Sequence, residues 1–177
     1  ETEERNKTLR SNIADSQNTV DEQIIDNVLR DFLQNNVDIL GTNESNIKKL
    51  KFEYDPSRKE ETSSGNWYVN YEQIYNGITI YKSYINIIIL NDKIVSISTN
   101  IYQNVNLSDV PVLSQQQALD MIKQDLRSFE VMPTNVSLVI YPDESGTELS
   151  YHLAWYFLIN NWKYIIDANS GGILYKE

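Results

Sequence analysis

The chain contains one histidine, His152, and no cysteine, so a metal site built from the usual nitrogen and sulfur ligands lacks members. No His-Glu-x-x-His pair occurs, which removes the helix-borne zinc centre of a metallopeptidase from this stretch of sequence. A serine or threonine nucleophile would have to use His152 as its base, with a carboxylate behind it. No Gly-x-Ser-x-Gly turn presents such a nucleophile. His152 stands between Tyr151 and Leu153 in an alternating stretch, which predicts a surface position on a strand, with a pH-sensitive contact as the secondary reading. Asp143 and Glu144 are adjacent acids in a Pro-Asp-Glu-Ser-Gly turn, where solvation is expected and calcium would need more oxygen ligands. Ser170-Gly171-Gly172 reads as a hairpin turn and not a phosphate loop. The residue types predict no enzyme, no metal and no cofactor.

Charge narrows the partners. Fifteen basic residues stand against 25 acidic ones, a net charge of -10, the wrong sign for a phosphate backbone. Nucleic acid is therefore not expected. The longest apolar run, Tyr84 to Leu90, is far short of the roughly 20 residues a spanning helix needs. Twelve tyrosines and three tryptophans offer rigid area for a protein partner, although core packing and cross-strand pairing should absorb most of them.

The elements follow from periodicity. Ile24, Ile25, Val28, Leu29, Phe32 and Leu33 share one helical face behind Asp21, a plausible N-cap. Leu50, Phe52 and Tyr54 alternate as a strand that Pro56 ends, and residues 55 to 65 read as a charged connection. Trp67, Val69 and Tyr71 alternate with Tyr68, Asn70 and Glu72; Ile78 to Leu90 reads as one long strand; Ile94 to Tyr102 alternates again. Asn76-Gly77 and Asn91-Asp92 are the turns between them, the first of type I′. A polar linker then leads to Ser114 and Gln117, a capping box, with Ala118, Leu119, Ile122, Leu126 and Phe129 on one helical face. Strands are expected at Val136 to Tyr141, Glu148 to Ile159, Trp162 to Asp167 and Ile173 to Tyr175. The order is helix then antiparallel strands, twice: an α+β chain with a polar arm over residues 1–20 and units over 21–104 and 105–177.

The stretch Gln73-Ile74-Tyr75-Asn76-Gly77-Ile78-Thr79-Ile80 resembles the Gln-x-Tyr-Asn-Gly-Ile/Val-x-Val signature of the fungalysin and thermolysin propeptide (FTP) domain. Residues Trp162-Lys163-Tyr164-Ile165-Ile166-Asp167-Ala168-Asn169-Ser170-Gly171-Gly172-Ile173-Leu174 are similar to the ending of the PepSY domain that follows it in thermolysin-type metalloproteases. Together the two matches cover about residues 24 to 175. The resemblance implies two cystatin-like units, each a helix packed on an antiparallel sheet. It further implies a secreted or cell-envelope setting and a zinc metalloprotease catalytic domain as partner, in cis or in trans. In that family the module inhibits its protease or assists its folding and is not itself catalytic. A stand-alone envelope module with a protein or glycan ligand is the alternative. The motif residues carried over are Gln73, Tyr75, Asn76, Gly77, Trp162, Asp167, Ala168 and Gly171. Gln73 to Gly77 are expected to serve their hairpin, and Asp167 and Gly171 to shape the last one.

Overall fold

Alternation along residues 67 to 75 sets the first core. In the computed structural model, which describes residues 22–40, 50–54, 67–91, 93–128 and 130–177, Trp67, Val69, Tyr71 and Gln73 are buried and their neighbours are not. This strand, β2 (Trp67–Tyr75), pairs antiparallel with β1 (Leu50–Tyr54) on one side and with β4 (Tyr84–Leu90) on the other. β4 pairs in turn with β5 (Lys93–Asn100), the edge strand, through a bulge at Ile88/Ile89. The helix α1 (Glu22–Gln34) is amphipathic, and Ile25, Leu29 and Leu33 pack with Trp67, Val69, Tyr71, Ile85, Ile87 and Ile89. Each such aliphatic side chain contributes about 1.5–3 kcal/mol by leaving water. Ile24 lies at the exposed rim of the expected stripe. A short helix, α2 (Val37–Leu40), follows.

One polar contact fixes the rotation of α1 over the sheet. The Tyr71 hydroxyl donates to Asp26 Oδ1 at 3.0 Å, and Arg30 Nε lies 2.8 Å from the same carboxylate. The Arg30 guanidinium also sits 5.3 Å from the Tyr71 ring centroid. Burial, seconded by the Asp26 charge, pushes the Tyr71 phenol well above its ordinary range. It therefore stays a neutral donor.

Two expectations need correction. Ile78 to Leu90 is not one strand: β3 (Ile78–Ile80) ends at Tyr81, and Lys82 takes a left-handed φ of 59° before β4 begins. Buried Ser83 fills the break, its Oγ accepting the Gln73 N–H at 3.0 Å. The pairing is not wholly antiparallel either, because β3 runs parallel to β6 (Asn135–Asp143), with Thr79 opposite Val139 and Ile80 opposite Ile140. The continuous β-branched run concealed the break, since a single residue's φ leaves no mark on hydrophobic periodicity.

The described residues fall into two compact units: those up to Ile74 with Lys82–Gln103, and Tyr75–Tyr81 with Asn104–Glu177. In the second, β6, β7 (Ser150–Ile159), β8 (Trp162–Asp167) and β9 (Ile173–Lys176) pair antiparallel in sequence order. Ala118 and Ile122 of α3 (Gln115–Leu126) pack on one face of this sheet, against Phe157, Ile159, Tyr164 and Ile166. The capping box forms as expected: the Gln117 N–H donates to Ser114 Oγ and the Ser114 N–H to Gln117 Oε1. Arg127 closes the helix in the left-handed conformation at φ 52°. No helix among the described residues is long and apolar enough to cross a membrane. The expected arm, the Asp21 cap, the 55–65 connection and Phe129 lie outside the described residues.

Candidate functional site

The first motif builds backbone. Gln73 is buried, and its amide spans the Tyr102 peptide: Nε2 donates to the Tyr102 carbonyl at 2.6 Å and Oε1 accepts the Tyr102 N–H at 2.9 Å. A side chain thus supplies the pair of bonds a neighbouring strand would make. Tyr75 is half-buried at the end of β2. Asn76 and Gly77 have φ of 49° and 83°, the two positive angles of a type I′ turn. Asn76 Nδ2 donates to Asp109 Oδ2 at 3.3 Å.

The second motif closes the β8–β9 turn. Asp167 Oδ1 accepts the N–H groups of Asn169 and Ser170 at 2.9 and 2.7 Å. Ala168 is buried; its N–H donates to the Leu153 carbonyl and its own carbonyl accepts the Leu113 N–H, each at 2.8 Å. Gly171 has φ 79°, and a Cβ there would stand 2.3 Å from Met121 Sδ and 3.2 Å from Leu113 Cδ1. Gly171→Ala is therefore expected to lower unfolding free energy by about 1–2 kcal/mol, from left-handed strain together with displacement of Met121. A urea titration followed by tryptophan fluorescence reads this directly; an unchanged midpoint would remove the assigned role.

His152 is the main departure from expectation. It is not a simple surface residue: only 31% of its side chain is exposed, and Nδ1 lies 2.8 Å from Asp167 Oδ2. On the other side Nε2 lies 3.4 Å from Ser150 Oγ and 3.9 Å from Asp143 Oδ2. The structure thus brings together a hydroxyl, an imidazole and a carboxylate in the order a nucleophile relay needs. What it sets beside them argues against that use. A second carboxylate, Asp143, shares the Nε2 side, where an anion opposes the negative charge an acyl-transfer intermediate develops. Hydrogen bonds from Ser145 hold the Asp143 carboxyl below its usual range, so that anion is present at neutral pH. Burial of Asp167 disfavours its charged form, but bonds from Ser170, Asn169 and His152 outweigh burial and hold it low as well. The array is a polar tie across β6, β7 and β8. The i, i+2 spacing of Ser150 and His152 was a signal for one shared face; the approach of Asp143 depended on hairpin register.

The same face carries aromatic rings. Tyr81 packs 6.0 Å from both Tyr141 and Tyr156 and 6.3 Å from Tyr175, centroid to centroid. Burial first, and then Tyr175, Tyr156, Glu177 and Tyr141, push the Tyr81 phenol up to about 12. On the α3 face the motif residue Trp162 begins β8 and is 52% exposed, with Lys176 Nζ 5.9 Å from its ring. Met132, 82% exposed, comes two residues before Thr134, whose N–H reaches the Leu158 carbonyl, and Leu126, also exposed, is the last residue of α3. Among the described residues no three His, Asp or Glu side chains converge as metal ligands.

No family model matches the chain. The thermostable neutral protease NprT of Geobacillus stearothermophilus is 28% identical over 132 residues, covering 67% of this chain and 24% of that protein. Thermolysins of Alicyclobacillus acidocaldarius subsp. acidocaldarius and Bacillus caldolyticus are each 31% identical over 133 residues, with the same coverage. The chain spans about a quarter of the length of these curated relatives. The solved Bacillus megaterium YpeB C-terminal domain gives a TM-score of 0.48 at 14% identity, covering 84% of this chain and 64% of that one, a likeness too low to bear on function.

Proposed function

We propose that the chain is a pro-region-like module, an FTP-like unit over 21–104 followed by a PepSY-like unit over 105–177, that binds a thermolysin-type catalytic domain. It acts there as an inhibitor, as an intramolecular folding chaperone, or as both, outside the cytoplasm and without chemistry of its own. In this reading each unit is cystatin-like. The observation that carries it is the match to thermolysins over 133 residues and 24% of their length, in a stretch without His-Glu-x-x-His. A segment shared with such enzymes but lacking their zinc ligands has the composition of an accessory region.

The physics of both roles is one equilibrium. A module that binds the native catalytic domain and not its unfolded chain stabilises the former, and the same contacts occlude substrate. Affinity in such interfaces concentrates in a few aromatic or Arg anchors. Trp162, 52% exposed at the start of β8, is the anchor we assign. The purified module is expected to slow a thermolysin-type peptidase at micromolar concentration or below, and Trp162→Ala to weaken inhibition on the order of tenfold, with the thermal midpoint unmoved. Undiminished peptidase activity across several thermolysin-type enzymes would overturn the reading. Inhibition that Trp162→Ala leaves intact would remove only the anchor.

A further inference from the structure

We propose that Asn76 is a site of spontaneous covalent modification, succinimide formation followed by isoaspartate, that frees the segment Tyr75–Tyr81 from the second unit's sheet. Asn76-Gly77 is the one Asn-Gly pair in the chain, and both residues are exposed. The reaction needs the Gly77 amide nitrogen to reach Asn76 Cγ, and three features leave that approach open. Glycine carries no Cβ, and nothing lies within 4 Å of where one would stand. Among the described residues, none of the backbone hydrogen bonds of turns, loops and caps uses the Gly77 N–H. The Asn76 amide makes a long, 3.3 Å bond to Asp109 at the surface.

A comparison within the chain sharpens the point. Asn169 is also followed by a small residue, but the attacking nitrogen there, Ser170 N, donates to Asp167 Oδ1 at 2.7 Å. That nitrogen is engaged, and Asn169 is expected to be spared.

The step balances simply. The Gly77 nitrogen loses its proton and bonds to Asn76 Cγ, the carboxamide nitrogen leaves as ammonia, and a five-membered imide forms. Water then opens either carbonyl, giving aspartate or isoaspartate. Both products lose the amide that donated to Asp109 and gain a carboxylate, the side-chain group facing Asp109 in aspartate and the α-carboxylate in isoaspartate. Attraction becomes like-charge repulsion at contact distance. Isoaspartate also adds a methylene to a turn whose two positive φ angles match the strand twist on either side.

What the turn holds is short. β3 has three residues and is in register with β6 at Thr79 and Ile80, and the Tyr81 N–H donates to the Ile140 carbonyl at 2.8 Å. Tyr81 then completes the cluster with Tyr141, Tyr156 and Tyr175. Loss of turn geometry is expected to open this segment locally while β6 to β9 stay paired.

The test is to age the full chain at mildly alkaline pH and follow Asn76 by peptide mapping with isoaspartyl detection. Amide exchange of Thr79, Ile80 and Tyr81 is measured on the same samples. Isoaspartate should accumulate at Asn76 ahead of Asn169, with exchange at Tyr81 faster on the order of tenfold in the aged form. Asn76→Asp should show part of that acceleration at once, from charge without the methylene, and adding Asp109→Asn should reduce it. The proposal is overturned if Asn76 stays intact while an Asn-Gly control peptide converts, or if conversion leaves exchange at residues 79–81 unchanged.

Discussion

Gln73→Leu is expected to cost the first unit about 2–5 kcal/mol, because it removes two side-chain bonds to the Tyr102 backbone while keeping nearly the same volume. Tyr102 N–H and C=O would each be left without the amide that spans them, and an unsatisfied buried polar group costs about 1–3 kcal/mol. Loss of packing is minor by comparison, which is why leucine, not alanine, is the informative replacement. Gln73→Glu separates the two bonds. One carboxylate oxygen can still accept from Tyr102 N–H, but the other faces the Tyr102 carbonyl where a donor stood. That variant should be weakest near neutral pH. It should regain stability as pH falls and the carboxyl protonates, since burial opposite an acceptor favours the neutral form. Urea titrations followed through Trp67, buried in the same unit, read both. A leucine variant within about 0.5 kcal/mol of the parent, the range of an ordinary surface change, would show that water or a relaxed backbone satisfies Tyr102 equally well.

Asp167→Ala is expected to cost the second unit about 3 kcal/mol, since one side chain accepts from Asn169, Ser170 and His152 together. Its effect has a pH signature. The folded carboxyl titrates below the 3.8 of an ordinary aspartate. The stability it contributes is therefore fully present above that value and drains away as pH falls beneath it toward the folded pKa. The difference between parent and variant should accordingly be constant through the neutral range and narrow in acid. Unfolding followed through Trp155 and Trp162 at several pH values measures it. A gap that stays constant in acid would mean that the ionised carboxylate is not what holds the turn.

These expectations separate what was legible in the sequence from what was not. The alternation of Trp67, Val69 and Tyr71, the Ser114–Gln117 box and the Asn76-Gly77 turn are local patterns with local causes, and each appears as read. The parallel meeting of β3 with β6 has no local cause. It depends on Lys82 adopting a positive φ inside a run that looks uniformly β-forming. The two carboxylates beside His152 are hidden from the sequence for a related reason. The alternation around His152 placed it on a face correctly, but whether a face meets solvent or two carboxylates is decided by strand register, which the side-chain period does not encode over hairpins of uncertain turn length. The role of Gln73 was legible only as part of a hairpin motif, because its partner Tyr102 lies 29 positions away.

The pairing of β3 with β6 also bears on how the chain reaches its native state. Thr79 and Val139 lie about 60 residues apart in sequence, so joining them closes a long loop for few bonds. The hairpins β6–β7 and β7–β8, with near neighbours to zip against, can assemble early and wait with one edge vacant. Docking of the three-residue strand is then expected to come late, and until it does that edge is open to pairing with another molecule.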